Sequence, residues 1–246
     1  MLKRLFIVLL LSVPMVGMAS SGGTSMKTAD VDVSNTPSLQ RGARNFMNYC
    51  SGCHSAKYVR FNRLAEDLGL TESQVLDNLM FAAERPFDTI KVAMPADDAK
   101  RWFGQTPPDL SLIARSRGTD WLYNFLLSFY EDSSKSTGMN NLVLPGASMP
   151  HVLWELQGTQ RVVHRIEKDA AGNEHEVFDH FELASAGKLS AEEYDAFVLD
   201  IVNFLEYIGE PVKLKRVQLG IWVMFFLLVF FLLAYALKKE YWKDVH

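Results

Sequence analysis

The chain has 246 residues, with 25 Lys+Arg against 29 Asp+Glu, 48% hydrophobic and 12% aromatic residues, and only two Cys. The low charge density and abundant Phe, Leu and Val exclude a disordered chain, no fixed short period supports a fibre or solenoid, and two Cys cannot staple a disulfide scaffold. Both ends are far more apolar than the middle.

At the N-terminus, Lys3 and Arg4 precede an apolar block from Leu5 to Val13, then Pro14 and a small-residue stretch to Ala19. A positive start, a short apolar middle and a small-residue cleavage site predict a secretory signal over residues 1–19. The block is too short to span a bilayer comfortably. Residues 20–210 then form one exported domain. Outside it lie 8 of the 25 basic and 2 of the 29 acidic residues, so the domain carries a formal net charge of −10. Such a charge excludes nucleic acid as a partner and steers a cationic one. A merely solvated acidic surface gives the same number. Glu66, Asp67, Glu131 and Asp132 are the positions at which charge reversal tests the steering.

Thr36 and Pro37 predict a helix start, with Leu39, Ala43, Phe46, Met47 and Cys50 following on one face. That helix runs into Cys50-Ser51-Gly52-Cys53-His54, the C-x-x-C-H pattern of covalent haem attachment, which contains both cysteines of the chain. Two thiols three positions apart reach the two vinyl groups of one porphyrin, and the adjacent imidazole reaches the iron. Competing chemistries are weaker. A redox dithiol opens a helix after a strand, whereas this motif ends a helix; a zinc site needs further soft ligands; a disulfide across two residues is strained.

Thr71 and Gln74 form a capping box, with Leu70 and Val75 as its hydrophobic staple, for a helix over Glu72 to Ala82 that places Met80 in the core. Pro107 and Pro108 set an extended entry, Asp109 is read as the cap of the next helix, and Arg115 and Arg117 bring guanidinium groups matched to carboxylates into an apolar region. Thr119 is read as the cap of a helix with Trp121, Leu122, Phe125, Leu126 and Phe129 inward.

The sixth iron position asks for a distant ligand. Met47 is too close to the motif and Met80 reads as core, leaving Met94, Met139 and Met149. Met149 is preferred, because Pro145, Gly146 and Pro150 give it a loop suited to presenting one side chain, although a Met is more often filler than ligand. His151 is the rival, and more often such a His is a polar neighbour.

Weak alternation over Arg161 to Leu183 predicts a small β-hairpin turning near Ala170–Asn173. His164, His175 and His180 fall within it. A metal site there is conceivable, but the three lack a ligand spacing. Ser190 and Glu193 cap a helix through Phe197, Val198, Ile201, Val202, Leu205 and Ile208, closed by Gly209 and Pro211. Residues 211–246 form the membrane anchor. Leu219 to Leu237 is a 19-residue stretch without charge, about enough to cross roughly 30 Å of hydrocarbon, with Trp222, Tyr235, Tyr241 and Trp242 at its interfaces. Three basic residues on each side do not orient it. The signal does, leaving Lys238–His246 cytoplasmic. The fold class is mainly α, with long loops and a single C-terminal membrane helix.

Four pieces together resemble bacterial cytochrome c1: Cys50–His54; Pro107–Ile113 with its arginines; Ala147-Ser-Met-Pro150; and Leu189–Asp195 leading through Val202–Leu205 and Gly209–Pro211 to the anchor. The resemblance covers essentially the whole mature chain. It implies a cytochrome c-type haem domain with one covalent haem c, thioether links at Cys50 and Cys53, and His54 and Met149 as iron ligands. It also implies a haem contact at Pro108 and a propionate partner at Arg117, with Arg115 as second option. It further implies a haem subunit of a quinol-oxidising bc1 complex in the bacterial inner membrane, its haem domain periplasmic, with cytochrome b and a Rieske iron–sulfur protein as partners and a soluble or membrane-bound c-type cytochrome as acceptor. A His/Met pair leaves no open iron position and favours electron transfer. Alternatives are a tethered mono-haem carrier serving another respiratory complex, and a haem sensor or enzyme with an open site.

Overall fold

A computed structural model describes residues 26–168 and 172–244; the expected signal over residues 1–19 lies outside them. The architecture is mainly helical and is organised by two helices far apart in sequence. α1 (Thr36–Tyr49) packs along α8 (Ala191–Gly209). Their contact is close because Gly42 has no side chain: a Cβ there would lie 2.1 Å from Asp200 O and 2.7 Å from Phe204 Cβ. Phe46 and Phe204 meet with ring centroids 5.5 Å apart, both fully buried. Asp200, on the same seam, accepts two hydrogen bonds from Arg41, at 2.6 and 2.8 Å, and one from Ser38 Oγ at 2.7 Å. The buried carboxylate is therefore paired on every side that matters.

Helix starts follow the sequence signals with small shifts. Asn35, not Thr36, is the N-cap of α1; its side chain accepts from Ser38 N at 3.2 Å while Thr36 and Pro37 are already helical. α2 (Phe61–Leu68) follows the short strand β1 (Ala56–Arg60). α3 (Glu72–Asn78) has the expected capping box but stops short of Ala82, because Leu79 N and Met80 N both fold back onto Val75 O, at 2.9 and 3.1 Å. Met80 is buried, as its apolar stripe suggested. β2 (Thr89–Ile90) pairs with β1, and α4 (Ala96–Phe103) follows. α5 (Ile113–Arg117) and α6 (Thr119–Leu127) meet at Gly118, whose φ of +89° turns the chain sharply. That glycine, not Thr119, precedes the first helical residue of α6, since a side chain at this φ would be strained.

β3 (Phe129–Glu131) pairs with β4 (Met139–Asn141), a pairing too short to leave a periodic signal. α7 (Trp154–Gln157) leads into a long antiparallel hairpin, β5 (Gly158–Lys168) with β6 (Glu174–Ala186), larger than the alternation indicated and bent by two irregularities in register. The capping box at Ser190 and Glu193 opens α8. Only Glu210–Val212 separates α8 from α9 (Lys213–Tyr241). α9 has 29 residues, none buried against the rest of the chain, and is long and apolar enough to cross a membrane. It is longer than the uncharged stretch because Lys213, Lys215 and Arg216 form its first turn. Lys213 pairs with Glu206 at 2.5 Å, while Glu210 takes both Arg216 and, at 3.5 Å, Arg115. These pairs tie the head domain to its anchor.

Candidate functional site

The end of α1 delivers the motif. Cys50 closes the helix with its N–H on Phe46 O at 2.8 Å, and a tight turn follows in which Cys53 N and His54 N both donate to Cys50 O, at 3.1 and 2.8 Å. The turn places Cys50, Cys53 and His54 on one cleft of about 70 Å³, shared with Pro107, Pro108, Met149 and Val152. A larger cavity lies elsewhere, between the hairpin and α8, and is lined by Trp121, Phe178 and Phe181 without any thiol.

His54 is oriented by backbone. Its Nδ1 lies 2.8 Å from Pro108 O, and because a carbonyl only accepts, Nδ1 carries the proton and Nε2 keeps its lone pair. Burial lowers the His54 pKa against the opposing effects of this bond and of Asp109, so the ring is the neutral form that metals bind. The Pro108 carbonyl is itself fixed. Leu110 N donates to Ser55 O at 2.8 Å, Asp109 accepts from Ser55 Oγ at 2.6 Å and from Lys57 N at 3.0 Å, and Ser111 Oγ accepts from Tyr58 N at 3.2 Å. Burial works against the charge of Asp109, yet the hydrogen bonds from Ser111, Ser55 and Lys57 hold its carboxyl below the usual range. Asp109 therefore staples two loops and does not cap the next helix, whose N-cap is Leu112. Backbone donors at Lys57 and Tyr58 need acceptors, and Asp109 and Ser111 supply them. This staple escaped sequence reading; the polar pair inside an apolar run was its only signal.

The thiols are not poised for disulfide exchange. Burial, with a smaller contribution from Cys53, pushes the Cys50 pKa up to about 12, and burial also raises that of Cys53. Reactive dithiols have the opposite shift. Of the methionines weighed from sequence, Met149 alone lines this cleft among the described residues; Met47 and Met80 are core, and Met139 lies in β4. His151 is 4% exposed and is not among the cleft-lining residues; burial lowers its pKa to about 4. The donor set is thus two thiols, an imidazole nitrogen and a thioether in a mainly apolar cleft. It fits a covalently attached haem with His and Met ligands.

The two arginines stand apart from the cleft. Arg115 pairs with Glu210, and its stem lies 3.3 Å from where a Cβ on Gly209 would sit. Arg117 places its guanidinium carbon 5.2 Å from the Trp121 ring centroid. Pro108 lines the cleft and holds His54 through its carbonyl. In the hairpin, His180 Nδ1 is 2.8 Å from Asp179, and among the described residues no three His, Cys, Asp or Glu side chains gather as metal ligands. Three of the four acids proposed for steering already have partners: Asp67 with Arg63, Glu131 with Arg161, and Asp132 with Asn140.

The Cytochrome C1 family matches residues 29–170 and 188–245, a span that omits the whole of β6. A cytochrome c1 of Allochromatium vinosum is 48% identical over 246 residues and covers the whole of both chains. A Nitrosomonas europaea protein named ammonia monooxygenase gamma subunit is 42% identical over all of this chain and 99% of its own length. A cytochrome c1 of Rhodospirillum rubrum is 28% identical over 92% of this chain and 91% of its own. With a family match across most of its length and a relative of 48% identity from end to end, the chain belongs to the cytochrome c1 family, electron-transfer cytochromes that carry one covalent haem c.

Proposed function

We propose that this chain is the haem subunit of a quinol-oxidising bc1-type complex, accepting single electrons from a Rieske iron–sulfur subunit and passing them to a c-type cytochrome. Cys50 and Cys53 would hold a haem by thioether bonds, and His54 and Met149 would ligate its iron. The observation that carries this reading is the presence of all four side chains on one cleft of a domain tied to a membrane helix. Bound haem supplies one-electron iron redox chemistry, and a thioether ligand raises its potential relative to a second imidazole.

The residues of the chain supply the rest. Pro108 O holds the proton on His54 Nδ1, so that Nε2 is the ligating atom. With His54 and Met149 both ligating, the iron would have no place for oxygen or a substrate, and the chemistry supplied would be electron transfer alone. Neither arginine lines the cleft; of the two, Arg115 is committed to Glu210 while Arg117 has no ion pair among the described residues, so Arg117 is the one a haem carboxylate would take. The head domain lies on the periplasmic side of the inner membrane, on the electrical side opposite the Lys238–Lys243 tail.

The test is isolation of the native complex from detergent-solubilised membranes through a tag on this chain. A quinol-oxidising cytochrome b and an iron–sulfur subunit should accompany it, and quinol should reduce its haem. Recovery with a monooxygenase instead, or with neither subunit, contradicts the reading.

A further inference from the structure

We infer that His151 is the positioning residue of the Met149 loop: by stacking on Phe129 behind the cleft, it fixes where the thioether sits, without ligating iron. The inference rests on the reading of Met149 as the distal ligand.

His151 faces away from the cleft while its neighbours, Ser148 included, line it. Met149, Pro150 and Val152 line the cleft and His151 does not. The imidazole lies nearly parallel to Phe129, at 6° and 5.0 Å between centroids, and both rings are buried. Phe129 is in turn fixed by Phe125, at 5.1 Å edge-on, and Phe125 stacks on Trp121 at 5.1 Å. His151 therefore closes a ladder of four rings rooted in α6 and β3.

The loop has little else to hold it there. Upstream, Asn141 Oδ1 accepts from Val143 N and Leu144 N, at 2.9 and 3.0 Å, and Asn140 Oδ1 accepts from Gly146 N at 2.8 Å. Among the described residues no hydrogen bond holds Ser148, Met149 or Pro150. Downstream, the next fixed point is His151, with Leu153 buried behind it. His151 Nε2 is buried without a hydrogen-bond partner, as is Gln157 Oε1. Polar contacts with the Gly158 backbone and the Gln157 side chain act on the ring against burial, but the ring is set by its stack on Phe129, and a phenyl ring keeps that stack while giving up the polar contacts.

The experiment uses the full-length haem protein in detergent and reads the ferric thioether-to-iron charge-transfer band and carbon monoxide binding by the ferrous form. The variants are H151A, H151F and F129L, with M149L as reference. The inference expects H151A and F129L to lose the band and bind carbon monoxide, and H151F to keep the native band and stay closed. A retained band in H151A, or in F129L if H151A yields no haem protein, overturns it; so does loss of the band in H151F. A native protein without the band, or M149L with the band unchanged, defeats the ligand reading itself and is distinguishable from failure of the positioning role.

Discussion

The two segments that build the cleft are held by different physics. The motif segment, Cys50 to Tyr58, is fixed by hydrogen bonds: its turn closes on Cys50 O, and Pro108, Asp109 and Ser111 engage it on the far side. The Met149 segment runs between hydrogen bonds to two asparagine side chains upstream and a buried, stacked imidazole downstream, and the ring stack is the nearest fixed point to Met149. On the proposed reading, a ligand adjacent to the two cysteines needs only its ring orientation set, and one backbone carbonyl does that. A ligand nearly a hundred residues away must have a whole loop delivered to the same place, and that requires a rigid wall.

The largest effect expected separates chemistry from fold. The double variant C50A/C53A should lose all covalent haem, so acid–acetone extraction of its membrane fraction leaves no colour with this chain on a haem-stained gel; retained stain would contradict the thioether assignment. Next comes the seam that presents the motif. G42A puts a methyl group where Asp200 O and Phe204 Cβ already are, and the overpacking should cost about 1–3 kcal/mol, read as an earlier thermal loss of the haem circular dichroism. An unchanged melt would mean that α1 and α8 can separate freely. Asp109→Ala attacks the hydrogen-bonded segment specifically. It leaves Ser55 Oγ and Lys57 N without their acceptor and should cost about 1–3 kcal/mol, less if water enters, in the same melt. The smallest effect belongs to the hairpin. Leu183 is 64% exposed and lies in the segment that the family match omits, so L183S should change stability by less than about 0.5 kcal/mol and leave the visible spectrum intact; a spectral change would show that the hairpin reaches the haem.

Much of the cleft was legible in the sequence because its chemistry is local. Cys50, Cys53 and His54 are neighbours, and Met149 stood out through its prolines and glycine. The capping boxes at Thr71 and Ser190 were likewise legible, since each is decided within four residues. What escaped were pairings across long separations. Nothing near Arg41 announces Asp200, nothing near Asp109 announces Ser55, and nothing near Arg115 announces Glu210 at the end of α8. The short strands β1 to β4 are likewise set by tertiary pairing and leave no periodic trace.

Iron K-edge X-ray absorption on the native protein tests the central claim most directly. A haem closed by His54 and Met149 predicts a single sulfur scatterer beside the nitrogens in both oxidation states. A spectrum fitted by nitrogen alone, or a vacant axial position in the reduced state, would contradict it.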